Sequence, residues 1–134
     1  MPKPPYDAIH YPTYPRIETH PDRLAAIGTL FGMNPAPVVS CRVLEVGCGD
    51  GGNLIPMAYF LPGSHFVGVD LAAGAVAEGN RTIADLKLRK MVLRQQDLRV
   101  VAHGLYSWLP ADVRDRLMTL CRELLAPRGF VYLT

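Results

Sequence analysis

Residues 43–53 read Val-Leu-Glu-Val-Gly-Cys-Gly-Asp-Gly-Gly-Asn, and this stretch decides the fold class. Its apolar start is typical of a buried strand, and its glycines are typical of a tight turn that opens a helix. Gly47, Gly49 and Gly51 alternate, so the backbone can take positive φ values and a ligand can approach without meeting a Cβ atom. The stretch therefore predicts a strand, a ligand-binding loop and a helix in succession.

Strand and helix patterns alternate along the rest of the chain. They predict strands at 42–46, 65–70, 91–96, 99–102 and 130–133, and helices at 54–61, 72–88 and 110–125. This alternation is typical of a parallel sheet with crossover helices, so we expect a Rossmann-like, three-layer α/β domain at 19–134. A capping box between Thr19 and Asp22 is expected to open a first helix. Residues 1–18, with five prolines and three tyrosines, predict an extended arm.

Composition sets limits on function. The 134 residues are 49% hydrophobic and 19% charged with a net charge of +2, which indicates one globular domain. Lysine and arginine do not cluster, so no nucleic-acid partner is expected. No apolar run approaches the roughly 18 residues of a membrane span, so a soluble protein that is not exported is expected. The odd number of cysteines, without zinc-type spacing, predicts no metal site and reduced thiols in a cytoplasmic protein: Cys41, Cys48 and Cys121.

The charge around the glycine loop separates two possible cofactors. Gly47, Gly49 and Gly52 also satisfy the G-x-G-x-x-G spacing of a dinucleotide site, so spacing alone leaves NAD open. Between residues 43 and 70 there is no Lys or Arg to offset a pyrophosphate, whereas three carboxylates lie there: Glu45, Asp50 and Asp70. These carboxylates favour S-adenosylmethionine, which carries a sulfonium and an ammonium. A P-loop is excluded because no Gly-Lys-Ser/Thr follows.

Further candidate residues follow the later predicted strands. Asp70 ends the second strand, where its carboxylate can bind a ribose diol or, alternatively, cap a helix. Asp97 ends the third strand and can receive an adenine amino group or be a solvated turn residue. After the fourth strand, His103 is a candidate proton acceptor, and Tyr106 and Trp108 can line an acceptor pocket. A purely structural role for these three is the alternative.

Several segments resemble the bacterial class I S-adenosylmethionine-dependent methyltransferases of the rickettsial protein-lysine methyltransferase type. The glycine loop marks only the superfamily, whereas the Thr-His-Pro-Asp-Arg and His-Gly-Leu-Tyr-Ser-Trp segments are narrower. The segments that carry the likeness are 11–12, 19–24, 43–58, 67–71, 103–110 and 113–115. The resemblance implies a methyl transfer to an acceptor such as a protein lysine amine. The predicted cofactor contacts are Glu45, Gly47, Cys48, Gly49, Asp50, Gly51, Asp70, Leu71 and Asp97.

The chain also departs from that family. A crossover between the third and fourth strands has to span about 22 Å, whereas the two residues between Asp97 and Val100 span at most about 10 Å. The last predicted strand is interrupted at Thr134, so an incomplete sheet of about five strands is expected. Its exposed edge predicts a homodimer or, alternatively, aggregation. A cofactor-binding remnant without activity is the alternative function, and an NAD-dependent oxidoreductase is a weaker one.

Overall fold

The computed structural model describes residues 11–96 and 111–131, except for the side chain of residue 113. The strands are β1 (Arg42–Val46), β2 (His65–Asp70) and β3 (Met91–Gln95). The helices are α1 (Pro21–Leu30), α2 (Leu54–Phe60), α3 (Ala73–Asp85) and α4 (Ala111–Leu124), with short 3₁₀ turns at Ile17–Thr19 and Val38–Ser40. Among these residues, no helix is long and apolar enough to cross a bilayer.

The three strands form a parallel sheet in the order β1-β2-β3. Val46 at the end of β1 pairs with Val69, and Asp70 at the end of β2 pairs with Gln95. The carboxyl ends of all three strands therefore meet at one edge of the sheet, where ligands bind in open α/β folds. The predicted bounds of β1 and β2 are confirmed, and β3 ends one residue earlier than predicted.

The core lies between one face of the sheet and the helices α2 and α3. Phe66 and Leu93 point to this face and are only 1% and 2% exposed. They pack with Leu54 from α2 and with Val76 and Ile83 from α3. Burial of one such large side chain stabilises the fold by about 1.5–3 kcal/mol.

Gly79 shows why α3 tolerates a residue that weakens helices. A Cβ atom at this position would lie 2.3 Å from the carbonyl oxygen of Asp50 and 2.3 Å from Cδ1 of Leu93. The missing side chain therefore allows α3 to pack directly against the glycine loop, which offsets a helix-propensity cost of about 1 kcal/mol. The helix ends at Asp85, earlier than predicted, and Lys87 follows with a φ of 55°.

The predicted capping box at the start of α1 is wrong. His20 is the N-cap, and its Nδ1 accepts a hydrogen bond from the Asp22 N–H at 3.2 Å. The Thr19 hydroxyl is used elsewhere, because it donates to the carbonyl oxygen of Arg16 at 2.9 Å. Pro21 occupies the first helical position, where its missing N–H costs little, as predicted.

The sheet of about five strands is not completed by the described residues. Phe130 and Val131 were predicted to begin a strand, but neither belongs to one. The Phe130 ring packs on α1, where a Cβ atom at Gly28 would lie 2.5 Å from Cζ. On the face opposite α2 and α3, Leu44 is 64% exposed, so the described residues do not complete the predicted third layer there. The predicted strand at 99–102 lies outside the described residues.

Candidate cofactor site

The glycine loop follows β1 at the carboxyl edge of the sheet. Gly47, Gly49 and Gly51 have φ values of 71°, 55° and 82°, in the left-handed region that favours glycine. The N–H groups of Gly47 and Cys48 donate to the Val69 carbonyl oxygen at 2.7 and 3.1 Å. The loop is therefore turned tightly and tied to the end of β2.

Asp70, at the end of β2, holds the loop through its side chain. Its Oδ2 accepts a hydrogen bond from the Gly49 N–H, and its Oδ1 accepts one from the Ala72 N–H, both at 2.8 Å. Asp70 is not the N-cap of α3, which is Ala72. An ionised carboxylate has about four acceptor positions, so two remain for the hydroxyl groups of a ribose.

Glu45 is a half-buried residue whose carboxylate lies at the site. Its Oε1 accepts a hydrogen bond from the Asn53 side-chain amide at 2.8 Å. Its Oε2 is also buried, and no donor in the described part of the chain bonds to it. Burial raises the pKa of Glu45, although the hydrogen bond from Asn53 and the positive charge of Arg16 partly oppose this increase. A buried acceptor without a partner is costly, and an ammonium group is the kind of donor that would satisfy it.

Asn53 connects Glu45 to the N-terminal part of the chain. It is 6% exposed, and its Oδ1 accepts a hydrogen bond from the Arg16 N–H at 2.7 Å. Its Nδ2 also donates to the Thr19 hydroxyl at 3.0 Å. Although Asn53 occupies the N-cap position of α2, its side chain makes no capping bond. Sequence reasoning missed this role because an Asn before a helix is the usual signal of a cap.

Residues 13–19, which we call the strap, lie against the glycine loop. The Thr13 hydroxyl bonds to the Asp50 carboxylate and accepts a hydrogen bond from the Gly52 N–H at 2.8 Å. A Cβ atom at Gly49 would lie 2.6 Å from Cγ2 of Thr13, and one at Gly52 would lie 2.5 Å from its carbonyl oxygen. These two glycines therefore make room for the strap, whereas for Gly49 the sequence predicted room for a ligand.

Cys48 lies inside the loop but contributes its side chain to the core. It is 2% exposed, and its Sγ would lie 2.7 Å from a Cβ atom at Gly68. Burial, together with the nearby carboxylates of Asp70, Glu45 and Asp50, raises the pKa of Cys48 to about 12. The thiol is therefore protonated at neutral pH and does not act as a nucleophile. Any contact of Cys48 with a cofactor is left to its backbone.

The structure brings most of the predicted site residues together. The glycine loop is bonded to Asp70, and Leu71 follows Asp70 at the same edge of the sheet. Glu45 lies in β1 just before the loop and is bonded to Asn53 just after it. Arg16, which the sequence reasoning did not consider, adds a positive charge from the strap that acts on Glu45. Within residues 11–96 and 111–131, no three His, Cys, Asp or Glu side chains form a metal site. The predicted site residues outside the described ranges are Asp97, His103, Tyr106 and Trp108.

The parallel sheet and the acidic glycine loop define a Rossmann-like cofactor-binding domain. A family model described as a methyltransferase domain matches residues 44–131. The chain therefore belongs to the class I S-adenosylmethionine-dependent methyltransferases, as the resemblance in the sequence predicts.

Nearly the whole chain is similar in sequence to rickettsial proteins. RP789 of Rickettsia prowazekii is 36% identical over 97% of this chain and 26% of its own length, and RP028 of the same organism is 34% identical over 96% and 56%. The structure of PKMT2 from Rickettsia typhi in complex with AdoHcy is 34% identical, with a TM-score of 0.77 over 89% of this chain and 25% of that protein. The chain thus spans about a quarter of RP789 and PKMT2, and just over half of RP028.

Proposed function

We propose that this chain binds S-adenosylmethionine at the glycine loop and serves a methyl transfer. The observation that carries the proposal is Oε2 of Glu45, an atom that is buried near the end of β1 and has no hydrogen-bond partner among the described residues. Glu45 binds the cofactor's ammonium group, because a buried carboxylate is stabilised by an opposite charge and a hydrogen-bond donor. Asp70 binds the ribose through the acceptor positions that Gly49 and Ala72 leave free.

The same residues disfavour a dinucleotide. A pyrophosphate brings two negative charges to a loop that lies among the carboxylates of Glu45, Asp50 and Asp70. Among the described residues, Arg16 is the cation whose charge acts on Glu45. When bound, S-adenosylmethionine supplies a methyl group on a sulfonium for attack by a neutral nucleophile. The chain itself binds and orients the reactants, and proximity and orientation account for most of the catalysis of such a transfer.

A protein amine is the acceptor that we propose. The likeness to PKMT2 from Rickettsia typhi supports this choice of acceptor. The two proteins are 34% identical over 89% of this chain. His103 and Tyr106 remain the proposed residues on the acceptor side. We also propose a cytoplasmic location, because Cys41, Cys48 and Cys121 are free thiols. Pairing of two copies through a sheet edge remains a further proposal.

A cofactor-binding domain without activity is the second candidate function. Acceptor pockets need more than the cofactor loop, and the described residues supply three strands and the strap. In this reading the loop binds S-adenosylmethionine and no methyl group is transferred.

Two measurements test these functions. Calorimetry with AdoHcy and with NAD⁺ is expected to show binding of AdoHcy only, and binding of NAD⁺ alone would contradict the proposal. S-adenosylmethionine with a labelled methyl group is then incubated with the protein and a cell lysate. Label on a protein supports the methyltransferase, whereas AdoHcy binding without transfer to any protein, nucleic acid or small molecule supports the inactive domain.

A further inference from the structure

Asn53 forms hydrogen bonds with two separate parts of the molecule. One part is the Glu45 carboxylate, and the other is the strap, which reaches Asn53 through the Arg16 N–H and the Thr19 hydroxyl. We propose that Asn53 and Thr13 are positioning residues which couple docking of the strap to occupation of the cofactor site. This inference rests on the proposed binding of S-adenosylmethionine.

Asn53 orients Glu45 only while the strap is docked. The amide has two donor hydrogens and one acceptor oxygen, and in the docked state all three are used. These bonds fix which end of the amide faces Glu45, so Oε1 is bonded and Oε2 is left for the cofactor. When the strap leaves, Asn53 loses its contacts with Arg16 and Thr19, and the orientation of the Glu45 carboxylate is no longer fixed.

Thr13 acts on the glycine loop itself. Its hydroxyl bridges the Asp50 carboxylate and the Gly52 N–H, while its methyl group occupies the space beside Gly49. These contacts span the two residues 49 and 51 that adopt positive φ values, so they hold the loop in its turned conformation. A docked strap therefore prepares the loop for the cofactor.

Coupling of this kind is reciprocal. If the docked strap strengthens cofactor binding, the cofactor must strengthen docking of the strap by the same factor. The Arg16–Ile17 bond offers a direct readout, because Arg16 is exposed and trypsin cleaves after arginine. The Arg89–Lys90 bond, in an exposed turn that leads into the amino end of β3, serves as the reference.

The first experiment is limited trypsin digestion of the full chain with and without saturating AdoHcy. Cleavage at Arg16–Ile17 is expected to slow by about fivefold or more relative to Arg89–Lys90. In Thr13→Val, which keeps the shape and removes the hydroxyl, this protection is expected to shrink. In Thr82→Val it is expected to persist, because the exposed Thr82 hydroxyl bonds to the Glu78 carbonyl oxygen of its own helix.

The second experiment compares two ligands in Asn53→Ala. AdoHcy carries the amino-acid group, whereas 5′-methylthioadenosine has the same adenosine and thioether without it. We expect the variant to lose about tenfold in affinity for AdoHcy and to keep its affinity for methylthioadenosine. If the role of Asn53 were purely structural, Asn53→Ala would lose affinity equally for both ligands.

The outcomes separate this inference from the proposed function. If the wild-type chain binds AdoHcy but trypsin cleaves Arg16–Ile17 at an unchanged relative rate, the coupling is overturned and the cofactor site stands. An equal loss of affinity for both ligands in Asn53→Ala overturns the positioning role of that residue. No binding of AdoHcy by the wild-type chain overturns the proposed function, and the coupling with it.

Discussion

The side-chain amide of Asn53 lies 2.8 Å from Oε1 of Glu45, and this bond leaves Oε2 of the same carboxylate buried without a partner among the described residues. A protein of this size has only a small net stability, so an unsatisfied buried oxygen is expensive. Such features concentrate at functional sites, where a ligand supplies the missing group. The pair therefore links the folding of β1 and α2 to the chemistry of the site.

The raised pKa of Glu45 makes stability depend on pH. The folded chain keeps a proton on Glu45 at pH values where the unfolded chain has already released it. The unfolded state then binds fewer protons, so the free energy of unfolding falls as pH rises from the ordinary carboxyl pKa through the raised one. Urea denaturation over this range is expected to show a smaller fall in Glu45→Gln than in the wild type. Equal pH dependence of the two proteins would contradict this assignment.

Asp70→Asn is expected to lower the affinity of the protein for every ligand that contains the ribose. An amide at this position presents an NH₂ group to the N–H of Gly49 or of Ala72, so one of these donors loses its acceptor. The expected loss of stability is about 1–3 kcal/mol, and AdoHcy and methylthioadenosine are expected to lose affinity together. Asp112→Asn, at an exposed carboxylate in the first turn of α4, is the matched control. Calorimetry and urea denaturation of both variants check this prediction.

Gly79→Ala is expected to destabilise the protein, although replacing a glycine by alanine within a helix is usually stabilising. By helix propensity alone it would stabilise the protein by about 1 kcal/mol. Here the new methyl group would lie 2.3 Å from the Asp50 carbonyl oxygen, so α3 or the loop has to move. We expect a loss of about 1–3 kcal/mol in urea denaturation, together with weaker AdoHcy binding. Ala77→Gly, at an exposed site of the same helix, should cost about 1 kcal/mol and leave AdoHcy binding unchanged.

Cys48 is expected to resist alkylation in the folded chain. Its pKa of about 12 keeps the thiolate fraction very small at neutral pH, and its burial excludes the reagent. Mass spectrometry after brief treatment with iodoacetamide should find label on Cys41 and Cys121, which are half-buried, before any on Cys48. All three should react in urea. Rapid labelling of Cys48 in the native protein would show that the loop opens more readily than its hydrogen bonds indicate.

The described strands and helices could largely be predicted because their signals are local. The apolar runs of β1 and β2 and the glycines after Val46 lie within the elements or next to them, so the bounds of these two strands agree with the structure. The turn at 62–63 likewise places the end of α2 to within one residue, since the helix ends at Phe60 and was predicted to reach residue 61. The capping box failed because Thr19 bonds to residues outside the pattern. Phe130 failed as the start of a strand because its ring packs against Gly28, about a hundred residues away in sequence.

The site could be predicted only in part, for the same reason. Glu45, the glycines and Asp70 are recognisable from their place after a strand. The contact between Thr13 and Asp50 joins residues 37 positions apart, and nothing near either residue in sequence indicates it. Arg16 lies outside the segment 43–70 in sequence, and its charge reaches Glu45 only through the fold. The contacts of the strap with the glycine loop and with Glu45 therefore depend on long-range packing, which the local sequence pattern does not indicate.

The measurement that tests the central claim most directly is calorimetry of Glu45→Gln with AdoHcy and with methylthioadenosine. If Glu45 binds the cofactor's ammonium group, AdoHcy is expected to lose about tenfold to a hundredfold in affinity. Methylthioadenosine, which has no ammonium group, should bind the variant and the wild type equally. Glu123→Gln, at an exposed carboxylate of α4, should leave both affinities unchanged. Unchanged binding of AdoHcy to Glu45→Gln would contradict the claim that this carboxylate holds the cofactor.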